Sequence, residues 1–413
     1  MAYSAYDRLL MGSPLRRRGV GKVTVAVLLL LLGFAALTQL SLFAGMRPDV
    51  ESVFLRTLVL STLLSLVPIA VLRFLDRRER ESPWLMAAAF LWGGCIATGL
   101  ALPFNTAFFR LVDLWVAHHP TIIQILGPDA AMLIAAPLSA PIVEELAKGL
   151  GVVLLFWLLR DEFDNMRDGL VYGALVGVGF NWFEAALYVV QGYAKFGIPP
   201  YGAQLGGRYA LFGLGGHAMF TAIFGAFLGL GIQTHRKWLR ISAPLIGIVL
   251  AITAHMLNNA LPLFAALAGA ATGEAPVASE PLPDIGFLEA FVIGSLVQLT
   301  TFLPFLVIVA LLVWRSGVWE RRVIREELAD EVGRTVSPDE YQDILADRMM
   351  RTRRIDRLHP HASAALVNAQ HELAFRKRRV RDEGSDPERD SVVGAWRDDI
   401  RHLRHVVQPR FTV

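Results

Sequence analysis

A single cysteine, Cys95, occurs in 413 residues, which excludes an intrachain disulfide framework and any metal site built from several thiolates. Charge is scarce as well. Asp, Glu, Lys and Arg together make up 19% of the chain, against about 25% in soluble domains. The formal net charge of +3 is too small to argue for nucleic acid as a partner. No HExxH zinc motif, Gly-rich phosphate loop or repeat of solenoid length occurs, and no Ser-His pair with an orienting carboxylate stands out. What the chain has in quantity is apolar residues, 54% of the total, with a mean hydropathy of +0.45.

These residues form runs of membrane-spanning length at about 22–45, 53–75, 83–102, 129–159, 169–192, 209–232, 242–264 and 287–314, each near the roughly 20 residues that cross the hydrocarbon core. The expected fold is therefore all-α, a polytopic bundle of about eight transmembrane helices. The first run follows a basic stretch but is too long for a signal-peptide core, so it reads as a retained anchor. Basic residues cluster in alternate connections: Arg8, Arg16, Arg17, Arg18 and Lys22; Arg73, Arg77, Arg78 and Arg80; Arg236, Lys237 and Arg240; and Arg315, Arg321, Arg322 and Arg325. The positive-inside rule puts all of these, and both termini, in the cytoplasm of a plasma-membrane protein. The connections near 46–52, 103–128, 193–208 and 265–286 then lie outside. Within the second of these, FFRLVDLWVAHHP, with Arg110 and Asp113, reads as an interfacial helix, and Pro128, Pro137 and Pro141 interrupt the approach to the fourth span.

The chain divides into a cytoplasmic segment 1–21, accessory spans and an interfacial segment 22–128, a four-helix core 129–264, an outer loop and last span 265–314, and a charged cytoplasmic helical tail 315–413. The tail holds 20 Lys or Arg and 18 Asp or Glu. Ser337, Pro338 and Glu340 form a helix start signal, the run FRKRRVR at 375–381 reads as a solvated basic helix face with anionic lipid as the alternative, and DEGSDPERD from Asp382 reads as linker.

Ionisable residues inside spans cost about 2.5–3.5 kcal/mol each on insertion scales, so each needs a partner or a purpose. They concentrate in four consecutive spans: Glu144, Glu145 and Lys148 in APIVEELAKGL; Glu184 in GVGFNWFEAALY; His217 in GLGGHAMFTAIFG; and His255, with Asn258 and Asn259, in TAHMLNNAL. Counted from the outer ends, Glu184, His217 and His255 fall roughly 12–14 Å deep, with Glu144 and Glu145 slightly shallower. Lys148 is placed to reach either Glu144 or Glu145 across one helical turn. His255 and Asn259 share a face, as do Phe180 and Glu184. Frequent glycines allow the close helix approach that lets such groups meet.

The series EExxK at 144–148, FxxxE at 180–184, then a histidine in each of the next two spans, resembles the PrsW family of intramembrane glutamic proteases, relatives of the type II CAAX prenyl endopeptidases. Those relatives carry His at the position of Glu184 and end in HxxxN, which His255 and Asn259 match. The resemblance covers about 130–265. It implies cleavage of a single-span, membrane-anchored protein near the outer face, such as an anti-sigma factor, with the substrate and the lipid bilayer as partners.

Peptide hydrolysis needs an activated water, a proton for the leaving amine and stabilisation of the oxyanion. The residues suggest that Glu144 or Glu145, with Glu184, activates water and moves the proton. His217 and His255 polarise or protonate the scissile amide, while Lys148 and Asn259 support, Asn259 as an oxyanion donor. No cofactor is required by this reading. Zinc held by Glu184, His217 and His255 is the alternative within proteolysis, and an ion-coupled carrier the alternative outside it, although no inverted repeat is evident. The bland reading of each residue is interhelical packing or a structural ion pair.

Overall fold

The computed structural model describes residues 18–79, 81–159, 163, 165–234, 236–273, 285–347 and 360–407, and is all-α, with no named strand among the described residues. Arg8, Arg16, Arg17 and Arg80, which the charge pattern places in the cytoplasm, lie outside the described residues. The described residues form two compact units, one within 18–72 and 82–310 and the other within 73–81 and 311–407.

The helices are α1 (Arg18–Ala44), α2 (Pro48–Leu75), α3 (Pro83–Ala117, with a π-helical stretch at Trp92–Ala97), α4 (Pro120–Leu126), α5 (Ala130–Leu158), α6 (Met166–Phe196), α7 (Tyr201–Arg208), α8 (His217–Gln233), α9 (Lys237–Thr272), α10 (Phe287–Thr301), α11 (Leu303–Leu328), α12 (Pro338–Leu345), α13 (Pro360–Asp382) and α14 (Ser391–Val407). Among the described residues, seven helices are long and apolar enough to cross a membrane, and the α4–α5 pair, bent by 89°, makes an eighth if counted as one span. The protein is a multi-pass membrane protein.

Three expected spans change form. The third does not stop at Pro103 but runs unbroken to Ala117, so the segment read as a separate interfacial helix continues α3. A proline is tolerated inside a long apolar helix when neighbours re-satisfy the freed carbonyl. The sixth is not regular from 209: Tyr209–Gly216 is a kinked connection in which Leu211 and Phe212 adopt positive φ of 50° and 59°, and helix α8 begins only at His217. Three glycines in the five residues from Gly213 deny that stretch helical stability. The eighth breaks at Phe302, because Pro304 has no amide to donate to the Thr300 carbonyl and its ring crowds that carbonyl, and the buried Phe302 ring turns inward to Phe220, 6.1 Å away.

Helix α6 is the hub of the first unit and is buried along most of its length. Its start is fixed by a capping box, in which Asn165 accepts from the Arg167 and Asp168 amides while Asp168 accepts from the Asn165 amide. Gly169, Gly173 and Gly177, four apart on one face, take the backbone of α8 at close range. A Cβ on Gly169 would stand 2.0 Å from the Gly225 carbonyl oxygen, and one on Gly177 2.2 Å from that of His217. On another face Gly179 receives the Phe90 carbonyl of α3 just as tightly, at 1.8 Å. This is small-xxx-small packing, which brings backbones together where lipid supplies no hydrophobic drive between helices.

The second unit has an apolar core of α11, α13 and α14 residues, among them Val323, Leu328, Leu373, Phe375, Val393 and Ile400. The Ser337 capping box with Glu340 opens α12 as the sequence implies. The basic run is not a solvated face. Lys377 is fully buried, its Nζ donating to Glu331 Oε1 at 2.9 Å, to the Glu327 carbonyl at 2.7 Å and to Asp330. Arg376, Arg378, Arg379 and Arg381 pair with Asp390, Asp382, Glu383 and Glu327. With its charge matched from within, the run has little left to offer anionic lipid. The segment after Asp382 is also more ordered than a linker, since α14 follows it and buries Val393 and Ile400.

Because Gly169 and Gly225 face each other across backbone atoms that cannot yield, Gly225→Val should destabilise the bundle by about 1–3 kcal/mol or more. Gly207→Ala, whose added methyl meets nothing within 4 Å, should not lower it. Thermal unfolding of the purified protein in detergent measures both.

Candidate active site

Helix α5 runs through Pro137 and Pro141 and delivers Glu144, Glu145 and Lys148 to one buried place. Gly149 and Gly151 flank it, so that Phe224 and the Trp92 indole pack against the helix, and Trp92 Nε1 donates to the Ala147 carbonyl at 3.0 Å. The Lys148 ammonium is completely buried. It donates to Glu145 Oε1 at 2.7 Å and to His217 Nδ1 at 2.8 Å, lies 3.5 Å from Glu144 Oε2, and stands 3.9 Å above the Phe180 ring.

The partners fix the protons on both histidines. Glu184 Oε2 accepts from His217 Nε2 at 2.6 Å, which leaves Nδ1 as the acceptor facing Lys148. Glu145 Oε1 accepts from His255 Nδ1 at 3.0 Å, which leaves His255 Nε2 as acceptor for the Asn259 amide at 3.3 Å and 3.9 Å from Glu144 Oε2. The two imidazoles thus hold opposite tautomers. They stand edge to face, centroids 4.9 Å apart, and Phe220 stacks on His255 at 5.1 Å.

The two adjacent carboxylates differ. Glu145 is saturated: besides Lys148 and His255 it accepts from Thr221 Oγ1 at 3.0 Å. Glu144 Oε1 accepts from Asn105 Nδ2 at 3.1 Å, and Asn105 in turn accepts from Ser139 Oγ at 2.9 Å. The closest polar neighbours of Glu144 Oε2 are Lys148 at 3.5 Å and His255 at 3.9 Å.

All five expected site residues, with Lys148 and Asn259, are brought into one cluster. Three points differ from the sequence reading. Glu184 does not join the Glu144–Glu145 pair but sits on the far side of His217, where Arg208 Nη1 donates to the same Oε2 at 2.6 Å. The three groups whose ligand atoms converge within 4.8 Å are Glu144, His217 and His255, so Glu184 leaves the expected zinc set and Glu144 enters it. The common depth also does not follow from the outer ends, because α5 starts at Ala130 and α8 at His217 itself. From the other ends, at Leu158, Met166, Gln233 and Lys237, the residues lie about 13–18 positions in, roughly 20–27 Å.

Arg208, Asn105, Ser139 and Thr221 were not singled out from sequence. Arg208 lies in a stretch read as an outer loop, and Asn105 beyond the proline taken as the end of a span. The signal for Arg208 is a basic residue in a segment otherwise nearly free of them.

A Glu–His–His set is zinc-like in kind, and the His255–Glu145 bond is the outer-shell carboxylate contact such a ligand usually has. The donors fit a metal in type and spacing, with one condition: the His217 Nδ1 lone pair is taken by the Lys148 ammonium.

Removing the ammonium should be more damaging than removing the whole ion pair. Lys148→Met leaves buried carboxylates without their cation and should cost about 3–5 kcal/mol, read as a lowered thermal midpoint, whereas Lys148→Met with Glu145→Gln should recover part of that loss.

Residues 81–312 match the family described as PrsW family intramembrane metalloprotease. A protein named Protease PrsW from Geobacillus kaustophilus (strain HTA426) is 35% identical over 103 residues, a match covering 25% of this chain and 41% of that relative. No solved structure matches the chain. With more than half of its length inside the family match, the chain belongs to the PrsW family.

Proposed function

We propose that the protein is an intramembrane endopeptidase that hydrolyses a peptide bond of a membrane-anchored protein, with Glu144 as the base that activates water. The observation that carries this reading is the charge balance of the buried cluster. Glu144, Glu145 and Glu184 face two basic side chains, Lys148 and Arg208, and the excess negative charge falls on the carboxylate with the loosest contacts. Glu144 is the group able to take a proton.

In this mechanism Glu144 Oε2 removes a proton from water as its oxygen adds to the scissile carbonyl carbon. The oxyanion is stabilised by the Lys148 ammonium and the Asn259 amide. The C–N bond then breaks, Glu144 returns the proton to the leaving nitrogen, and a carboxyl and an amine terminus are released. Glu145 orients His255 and Lys148, and Glu184 orients His217. In turn His217 Nδ1 holds the Lys148 ammonium and His255 Nε2 holds the Asn259 amide, so the imidazoles orient the two oxyanion donors.

The family's printed description favours a second reading, a metal-dependent one. Glu144, His217 and His255 would hold the ion, His217 by releasing Lys148, and the metal would supply Lewis-acid polarisation of the scissile carbonyl.

The substrate class we infer is a single-span membrane protein of the anti-sigma-factor kind, in the plasma membrane, cut near the outer face, with both termini of the protease cytoplasmic. Supporting the outer position, the basic connection Arg236, Lys237 and Arg240 follows the C-terminal end of α8, while His217 stands at its opposite end.

Purified protein in detergent should cleave a panel of single-span substrates with chelator present. Glu144→Gln should lower the rate by about 10²–10⁴ with the fold intact. Full activity in Glu144→Gln removes the base role; activity lost to chelator and restored by zinc assigns the site to the metal.

A further inference from the structure

The charged group that the mechanism leaves without a task is Arg208. A guanidinium largely withdrawn from water needs a partner, and this one is held in a defined place. It is the last residue of α7, its side chain is 17% exposed, and it lies 4.0 Å over the Tyr188 ring. Its Nη1 and His217 Nε2 both donate to the same atom, Glu184 Oε2, at 2.6 Å each. Helix α7 is fixed in turn by α10, whose Phe287 carbonyl and Ala290 methyl fill the space over Gly206. The Tyr209 hydroxyl beside Arg208 is anchored to Ser65 and to the Ser61 carbonyl at 2.9 Å.

The geometry points to Arg208 as a positioning residue for His217, acting through Glu184. A carboxylate oxygen that takes a guanidinium proton remains an acceptor, so the proton between it and His217 stays on Nε2. That holds the lone pair of His217 on Nδ1, toward Lys148 and the point where Glu144 and His255 converge. Without the guanidinium, the Glu184 carboxylate is no longer held against Nε2, and the single ring proton of His217 is free to sit on Nδ1 instead. Nδ1 would then carry a proton aimed at the ammonium, and the two donors would repel. A misassigned tautomer is an effective way to disable a histidine whose position is otherwise correct. The chain Arg208–Glu184–His217–Lys148 thus sets the ammonium's direction from the far side of the site. It depends on the proteolytic reading for its consequence, but not for the tautomer itself.

The test is nitrogen-15 spectroscopy of ring-labelled histidine in the membrane-reconstituted protein, with His217 assigned by its loss in His217→Gln, alongside cleavage kinetics. Wild type should show His217 protonated at Nε2. Arg208→Gln should lose that single tautomer and lower kcat by at least about tenfold with KM little changed, and Arg208→Lys, which keeps the charge, should restore most of both. Glu184→Gln combined with Arg208→Gln should be no worse than the more damaging single change, because both act through one path. The inference is overturned if wild-type His217 carries its proton on Nδ1, a result independent of whether any Arg208 variant folds. It is also overturned if Arg208→Gln keeps the wild-type tautomer and kcat, or if the two losses add. Absence of cleavage by wild type would instead count against the proteolytic reading, with the spectrum still deciding the role of Arg208.

Discussion

Everything at the centre of the bundle depends on one ammonium group. Lys148 has three protons, and the structure gives it Glu145, His217 and Glu144 within 3.5 Å, with an aromatic face behind it at Phe180. A lysine buried with fewer partners would be neutralised or would unfold its surroundings. Its acceptors come from α5 and α8, and its aromatic wall from α6. The close glycine contacts of α6 and α8 are therefore more than packing. At a normal helix separation of 8–10 Å, His217 would not reach Lys148 and Glu184 together, and the charges would be stranded in lipid.

The same contact explains what was legible in the sequence. Glu144, Glu145, Lys148, Glu184, His217 and His255 could be read because a charge or imidazole in an apolar run is expensive, and expense without a purpose is rare. Side-chain identity at four places was enough. The groups that orient them were hidden for the opposite reason. Asn105, Ser139 and Thr221 cost little where they are and resemble many other polar residues, and Arg208 stood in a stretch that looked like a water-exposed connection. Spans were readable as apolar lengths, but their ends were not. Hydropathy does not record that Pro103 is absorbed into α3 or that Pro304 breaks the last span. It also missed that the glycines after Phe212 postpone α8 to His217. In the tail, FRKRRVR looked solvated because sequence order hides Asp330 and Glu331, which lie more than 40 positions away and bury Lys377.

The irregular stretch 209–216 is where the fold serves the site at the expense of local stability. Two bulky residues at positive φ, Leu211 and Phe212, cost about 1–2 kcal/mol each relative to ordinary helix. The surroundings over-determine the shape: the Leu211 amide donates to Ser295 Oγ at 3.0 Å, and Phe212 packs edge-on against Phe291 at 5.4 Å. A regular helix through these residues would carry His217 along its axis. The kink instead makes His217 the first residue of α8, where its ring can reach Glu184 on one side and Lys148 on the other.

Charge counting separates the two chemistries open to such a cluster. Three carboxylates set against Lys148 and Arg208 leave one negative charge in excess. The proton that Glu144 takes in the proposed mechanism comes from water, so the total does not change as it passes between Glu144, water and the leaving nitrogen. A divalent ion added to the same residues would bring the total to one positive charge and would compete with Lys148 for His217 Nδ1. A zinc-loaded state is therefore self-consistent only if Lys148 gives up its proton or turns away, and turning away would take the ammonium from Glu145, the residue that orients His255 toward the same metal. The contacts in place, with the ammonium between Glu145 and His217, are those the proposed glutamate base uses without rearrangement.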